Sequence, residues 1–123
     1  MFQTGTDVVV RGALDGLAAR NRSYAQNIAN AETPGYQPVD VHFEDQLRKM
    51  RDKFAADTSS GVPSVSIAEV PDDQGADRPD DNGVQIDSQV VKLQENTIAY
   101  EALAQAAKIR DAMMRSAVTE GKK

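Results

Sequence analysis

The sequence predicts an all-α chain, with long N- and C-terminal helices paired as an antiparallel hairpin or coiled coil, a short middle helix and an irregular acidic loop. Apolar residues recur at steps of three and four near both ends, whereas Pro, Gly, Asp and Ser crowd the middle. Only 5% of residues are aromatic and Trp is absent, so thin, closely packed helices are expected. The length, residues 1–123, allows one domain.

The first long helix is predicted over residues 7–31. Its apolar positions follow a heptad pattern, which suits packing against another helix. Thr4 or Thr6 can cap its start. Gly12 and Gly16 lie one turn apart, where they either let a neighbouring helix approach closely or are merely tolerated. The heptad positions are Val10, Leu14, Leu17, Asn21, Tyr24, Ile28 and Ala31.

A turn is predicted after this helix, because Pro disfavours helical geometry in the residue before it and Gly permits a tight bend. Pro38 keeps the following stretch extended. Asn27 and Asn30 lie near the helix end, and two interpretations of them stay open. They either cap the helix end or form hydrogen bonds between subunits, since buried Asn fixes register in helical assemblies. The turn motif consists of Thr33, Pro34, Gly35 and Tyr36.

A short amphipathic helix is predicted over residues 43–55, where apolar residues step by four, three and four. Glu44 with Arg48, and Asp45 with Lys49, are oppositely charged pairs one turn apart and should support it. Its apolar face consists of Phe43, Leu47, Met50 and Phe54.

Residues 57–86 are predicted to form an irregular loop that carries most of the negative charge. The formal net charge is −5, and residues 57–87 hold eight acidic residues against one basic residue, Arg78. The loop is rich in Pro and Gly, which disfavour regular structure. Val65 and Ile67 alternate with serines, a pattern that fits a short strand. With no basic stripe elsewhere, nucleic-acid binding is disfavoured.

The last helix is predicted over residues 87–118, with Asp87 or Ser88 as its cap. Its apolar surface is wider than one partner helix requires, notably around Ile98 and Ile109, so the remaining faces are expected to contact other subunits. One stripe consists of Ile86, Val90, Leu93, Thr97, Tyr100, Ala104, Ala107, Asp111, Met114 and Val118, and a second of Ile98, Leu103, Ile109 and Met113. The predicted assembly interface comprises Val10, Leu14, Leu17, Tyr24, Asn27, Ile28, Asn30, Leu93, Ile98, Tyr100, Leu103, Ala107, Ile109 and Met114.

The sequence argues against an enzyme and predicts no catalytic residue, cofactor or metal. Cysteine is absent, which excludes thiolate chemistry. His42 is the single histidine, and one imidazole without convergent partners makes a poor metal or acid/base site. No apolar run approaches the about 20 residues of a membrane span. The first residues lack the basic and apolar regions of a cleaved signal peptide.

The acidic loop does not match a calcium motif. With Gly83 at the sixth position of an EF-hand loop, Arg78 falls first and Gln89 twelfth, where carboxylates are required. Adjacent carboxylates such as Asp72 and Asp73 are expected to be solvated, which leaves their pKa too low for general acid catalysis.

Residues 27–36 closely resemble the signature near the N-terminus of flagellar rod and hook proteins. They read Asn-Ile-Ala-Asn-Ala-Glu-Thr-Pro-Gly-Tyr. Within that family the chain resembles the FlgB, or proximal rod, branch, through residues 40–47, 82–87 and 93–103. Leu103 stands where the sibling FlgC branch usually has Asn. The Ser88-Gln89 pair departs from the more charged helix start usual in the FlgB branch, and the middle of the loop is unmatched.

The resemblance implies a structural subunit whose terminal helices form the inner tube of the axial structure, which transmits torque and encloses the export channel. It implies export through the flagellar type III apparatus without signal cleavage, and a place in the periplasmic rod of the basal body. The implied partners are other copies of the chain, other rod proteins, a FliE-like adaptor and the membrane ring. The alternatives are a FlgC-like sibling, or a soluble helical export adaptor or chaperone.

Overall fold

The computed structural model describes residues 4–56, 66–72 and 78–122. They form, in chain order, α1 (Gly5–Ala29), β1 (Val39–Val41), α2 (Glu44–Ala56), β2 (Glu69–Pro71) and α3 (Ile86–Glu120). The structure is mostly helical and α1 packs lengthwise against α3, which confirms the predicted fold class. The two helices run antiparallel, because the middle of α3 contacts the middle of α1 and Arg110 contacts Thr4 at the start of α1.

Helix α1 begins with a capping box, as the sequence predicted for Thr4. The Thr4 hydroxyl accepts a hydrogen bond from the Asp7 amide at 3.3 Å, and the Asp7 carboxylate accepts one from the Thr4 amide at 2.9 Å. Two N–H groups that a helix start leaves unpaired are therefore satisfied. Asn30 is the C-cap residue at the other end of the helix.

A two-stranded antiparallel sheet lies beside α1, with Asp40 opposite Val70. The strand predicted near Val65 and Ile67 is displaced along the chain, because β2 begins at Glu69. Ile67 lies before β2, and Val65 falls outside the described residues. Three-residue strands are too short to give a recognisable alternation of apolar and polar residues.

The small core lies where α1 meets β1 and the start of α2. A Cβ atom on Gly16 would overlap the Phe43 ring, so this glycine permits a close approach. The approaching group is an aromatic ring that precedes α2 rather than a neighbouring helix. Because Phe43 lies at Gly16 and Phe54 at Gly5, α2 runs antiparallel to α1. The core comprises Leu17, Ala19, Val41 and Phe43, with Ala13, Leu47 and Leu103 packed around them.

Both predicted charge pairings in α2 are wrong. The Glu44 carboxylate accepts a hydrogen bond from Arg20 on α1 at 2.6 Å, and Arg48 pairs with Asp45 at 3.0 Å. Burial alone would raise the pKa of Glu44, but hydrogen bonds from Arg20 and the backbone hold it below its usual value. Glu44 therefore ties α2 to α1 instead of supporting α2 internally.

Helix α3 differs from the prediction at its start and on its inner face. It begins at Ile86 with Gln85 as N-cap and no side-chain cap, so the predicted caps at Asp87 and Ser88 are wrong. Its buried residues are Gln89 and Asn96, whereas Ile86 and Val90 of the predicted apolar stripe are exposed. Apolar periodicity placed the inward face of α3 too far toward Ile86 and Val90, because polar side chains occupy two of the inward positions.

Candidate assembly interface

The turn motif lies at one end of the α1–α3 pair, which we call the turn end. The Tyr36 amide donates to the Thr33 carbonyl at 3.2 Å, and Gly35 has a φ of 73°. Pro at the second position and a positive φ at the third are the features of a type II turn. Thr33, Pro34 and Gly35 are exposed and Tyr36 is half-buried, so the turn forms a solvent-facing tip.

Residues 78–84, here called the strap, lie across this turn. The Gly35 amide donates to the Asp80 carbonyl at 2.8 Å, and the Gly83 amide donates to the Tyr36 carbonyl at 3.0 Å. The Asn82 side-chain amide donates to the carbonyls of Asn30 at 2.9 Å and Thr33 at 2.6 Å. The second half of the predicted irregular loop is therefore bound to α1 and to the turn.

Asn27 is a buried hub with no exposed surface. Its side-chain amide donates to the Val39 carbonyl at 2.8 Å and to Gln89 at 2.9 Å. Its side-chain oxygen accepts from the Val39 amide at 3.0 Å and from the Tyr36 hydroxyl at 3.1 Å. Asn27 thus joins α1, the turn, the edge of β1 and the start of α3 inside one chain.

Asn30 fits the capping interpretation, since its side chain donates to the Gln26 carbonyl at 2.8 Å and accepts from the Thr33 hydroxyl at 3.2 Å. Both contacts stay within the helix end and the turn. The sequence left open whether Asn27 and Asn30 cap the helix or bind a neighbour. In this structure Asn30 caps, and Asn27 joins four elements of its own chain.

A buried ion pair lies behind the hub. The Asp72 carboxylate, only 7% exposed, accepts hydrogen bonds from Lys92 at 2.7 Å and Gln89 at 3.1 Å. The prediction that this carboxylate is solvated is therefore wrong. Burial and the nearby Asp40 carboxylate raise the pKa of Tyr24, which packs in the same region.

The middle of the α1–α3 contact also depends on an amide. Asn96 donates to the Leu17 carbonyl and to the Asn21 side chain, both at 2.7 Å. Arg20, on the β1 side of α1, donates to the Val41 carbonyl at 2.6 Å and lies 4.5 Å from the centre of the Phe43 ring. Polar side chains therefore fix the positions of α3, β1 and the start of α2 relative to α1.

The opposite end of the pair, here called the open end, is less complete. Arg110 of α3 lies 3.2 Å from the Asp7 carboxylate and donates to the Thr4 hydroxyl at 3.0 Å. One buried Arg110 nitrogen makes no hydrogen bond, so the ion pair there is poorly aligned. Ten residues of α3, 111–120, follow this contact, and at 1.5 Å per residue they reach about 15 Å past it.

A groove of about 820 Å³ runs between the two helices at the open end. Its apolar lining comes from both helices, and charged side chains, including Arg11 and Arg115, lie along it. Arg115 pairs with Asp111 at 2.8 Å. The apolar residues that line the groove are Val10, Leu14, Ala107, Met114 and Val118.

The face of α3 turned away from α1 carries an exposed apolar stripe, here called the back stripe. At about 100° per residue, its members lie on the side of the helix opposite Asn96. The largest are strongly exposed, with Ile98 at 66% and Met113 at 67%. The stripe gathers large apolar side chains on one face of the helix, whereas the exposed apolar residues of a monomer are usually scattered. The back stripe consists of Val91, Ile98, Ala102, Ile109 and Met113.

The predicted interface residues fall into three groups. Those buried inside the chain are Leu17, Tyr24 and Asn27, and those exposed are Ile98, Tyr100 and Ile109. Those half-buried are Val10, Leu14, Ile28, Asn30, Leu93, Leu103, Ala107 and Met114. The residues that sequence reasoning missed are Arg78, Asn82, Gln89 and Asn96. The sequence gives only a weak signal for them, since a polar side chain that is buried in a helix or a loop has the same pattern in the sequence as one that is solvated.

Within residues 4–56, 66–72 and 78–122, no group of three or more His, Cys, Asp or Glu side chains is arranged to hold a metal ion. None of the helices in these segments is long and apolar enough to cross a membrane. His42 is exposed and lies 4.0 Å from the Asp40 carboxylate. The groove and the back stripe are the prominent surfaces of this part of the chain.

A helical pair with exposed apolar surface along one helix defines a class of protein, the helical-hairpin assembly subunit.

No protein-family model matches the chain. It is 30% identical over 106 residues to the flagellar basal body rod protein FlgB of Salmonella typhimurium, covering 72% of this chain and 75% of the relative. The FlgB protein of Yersinia enterocolitica is 31% identical over 103 residues, with the same coverage. That of Bacillus subtilis is 25% identical over 97% of each chain. The chain belongs to the FlgB family of flagellar basal body rod proteins.

Proposed function

We propose that the chain is a structural, non-enzymatic subunit of the proximal rod of the bacterial flagellar basal body. The observation that carries the proposal is the exposed back stripe on α3, in a chain whose relatives are named basal body rod proteins. A helix that is apolar on the face away from its partner needs a second partner, because burying that face stabilises by about 25 cal/mol per Å².

Two surfaces are proposed to make the contacts between subunits. The first is the back stripe around Ile98 and Ile109, and the second is the open-end groove around Leu14 and Met114. They lie on different sides of the helical pair, so one copy can offer its stripe to one neighbour and its groove to another. Contacts of this head-to-tail kind build open helical arrays rather than closed dimers.

Charge supports this pairing of surfaces. Glu95 and Glu101 are exposed on α3 to either side of the back stripe near Ile98. The groove has an excess of one positive charge, from Arg11, because its other two arginines, Arg110 and Arg115, pair with Asp7 and Asp111. Opposite charges around two apolar surfaces favour their mutual orientation and disfavour stripe-to-stripe contacts. Among the predicted interface residues, Leu17, Tyr24 and Asn27 would act indirectly, by holding the shape of the subunit.

The finer assignments follow from family membership. We propose that the neighbours are other copies of the chain and other rod proteins, with a FliE-like adaptor and the membrane ring at the rod base. The subunit would reach the rod through the flagellar type III export apparatus without cleavage of a signal peptide. It would form part of the wall around the export channel and transmit torque.

The substitution Ile98→Asp tests the proposal. A carboxylate in the back stripe should abolish swimming and remove the subunit from purified basal bodies, while the thermal unfolding midpoint of the isolated subunit stays unchanged. The matched control is Ile67→Asp, which alters an exposed isoleucine outside α3 and should leave swimming intact. Normal swimming with Ile98→Asp would rule out the back stripe as an interface. An Ile98→Asp protein that still co-purified with basal bodies would do the same.

A further inference from the structure

We infer that the strap, residues 78–84, is a built-in clamp that fixes the turn motif in the free subunit, so that the tip is shaped before any neighbour arrives. This inference rests on the proposed function only in making the tip a contact surface. The clamp itself is a property of the isolated chain. It assigns a positioning role to Asn82 and a supporting role to Arg78.

The first argument is that the strap binds the segment between the end of α1 and the turn. Asn30 ends α1, since its backbone amide donates to the carbonyls of Gln26 and Asn27. The strap supplies donors to the carbonyls that follow the helix. Asn82 donates to the Asn30 and Thr33 carbonyls, and the Arg78 guanidinium donates to the Ala31 carbonyl at 3.1 Å.

The second argument is that the Asn82 side chain is fully used and fully buried. It has no exposed surface, and its side-chain oxygen accepts from the Val84 amide at 2.8 Å while its nitrogen makes the two bonds to the α1 end. Removing such a group takes a hydrogen-bond partner from three backbone groups, and it leaves the buried Val84 amide without its acceptor, which costs more than the bond gains. No shorter or reversed side chain can satisfy all three.

The third argument is that the strap fixes the turn from both sides. The Gly35 amide is held by the Asp80 carbonyl, and the Tyr36 carbonyl is held by the Gly83 amide. Pro34, which precedes Gly35 in the turn, is exposed and free to contact another molecule. Because residues 33–36 are separated from the strap by more than 40 positions, this geometry cannot form until the chain closes. A tip that is already rigid loses little conformational entropy on docking.

The experiment measures amide hydrogen exchange at Gly35 in the isolated full-length subunit and compares Asn82→Ala with Asn96→Ala. The two variants are matched, since each removes a buried asparagine that makes two hydrogen bonds to the α1 end or to α1 itself. We expect Asn82→Ala to lower the protection of Gly35 at least tenfold, and Asn96→Ala to leave it within about twofold of wild type.

Asn82→Asp sharpens the comparison, because it keeps the acceptor for the Val84 amide but loses both donors. We expect it to behave like the alanine variant. Unchanged Gly35 protection in Asn82→Ala or Asn82→Asp, or an equal loss in Asn96→Ala, would overturn the clamp. Should Asn82→Ala fail to fold, Arg78→Ala is assessed in the same way, with an expected loss of about threefold.

Measuring the amount of each variant in purified basal bodies separates the clamp from the proposed function. Asn82→Ala should reduce incorporation into basal bodies more than Asn96→Ala does. Loss of Gly35 protection with normal incorporation would show that a preshaped tip is not needed, which overturns the docking role of the strap. That outcome would leave the rod assignment, tested independently by Ile98→Asp, untouched.

Discussion

The two ends of the α1–α3 pair are completed by different means. At the turn end, the buried amides of Asn27 and Asn82 make four and three side-chain hydrogen bonds respectively, and all of them stay within the chain. At the open end, the helices are joined by the Arg110 contacts to Asp7 and Thr4, beside an apolar groove. The comparison indicates that the subunit itself shapes the turn end, whereas the open end keeps an apolar groove that the proposed assembly would fill.

The largest expected difference is in the cost of removing an aromatic ring. Phe43, only 3% exposed, packs on Gly16 in the core, whereas Phe54 is half-buried near the start of α1. Phe43→Ala should lower the free energy of unfolding by about 3–5 kcal/mol. Phe54→Ala should cost about half of that or less, because less of its surface leaves water. Urea denaturation of both variants measures the difference, and equal costs would contradict the contrast between the core and the open end.

A second expected difference concerns helix content before and after assembly. The isolated subunit should show less helix by circular dichroism than the assembled rod, with the loss confined to residues 111–120, which extend past the Arg110 contact. A helical segment this short is marginal in water without a packing partner. Full helicity of residues 111–120 in a dilute monomer, measured by NMR chemical shifts, would show that the open end needs no neighbour.

The smallest expected effect is a pH dependence at the open end. Hydrogen bonds from the Thr4 amide and hydroxyl, helped by Arg110, lower the pKa of Asp7. Folding therefore favours the ionised carboxylate. Its contribution is complete above about pH 4, the ordinary value for Asp, and is lost as the pH falls through the lowered pKa. An NMR titration of the Thr4 amide should follow this change.

Asp7→Asn is the control for that titration, because it retains the shape of the side chain without its charge. The Thr4 amide should then show no transition in the acid range. Gly35, at the turn end, should be unaffected by pH over the same range in both proteins. A transition at Gly35 that matched the one at Thr4 would mean that the two ends open together.

The sequence predicted the helices well, because heptad spacing and the Thr4 cap are local signals. Their observed bounds differ from the predicted ones by at most two residues. It shifted the inward face of α3 toward Ile86 and Val90, which are exposed, since Gln89 and Asn96 do not register in an apolar pattern. It also missed the strap, because the donors that hold the segment between α1 and the turn come from about 50 residues further along the chain.

Of the candidate interface, the exposed positions Ile98 and Ile109 could be predicted from surplus apolar surface on the last helix. The burial of Tyr24 and Asn27 could not, because whether a seam residue faces its own chain or a neighbour depends on where α3 and β1 come to lie. Periodicity identifies a face without identifying what covers it.

Gln89 and Asn96 give the long contact between α1 and α3 an unusual character, because their amides stand at inward positions that usually hold aliphatic side chains. Separating the helices at Gln89 and Asn96 exposes amide groups that water readily solvates, rather than a continuous apolar surface. Such a helix pair can separate and re-form without promoting aggregation. Under the export route proposed above, a helix pair that separates easily would let the chain pass through the export channel unfolded and refold at its destination.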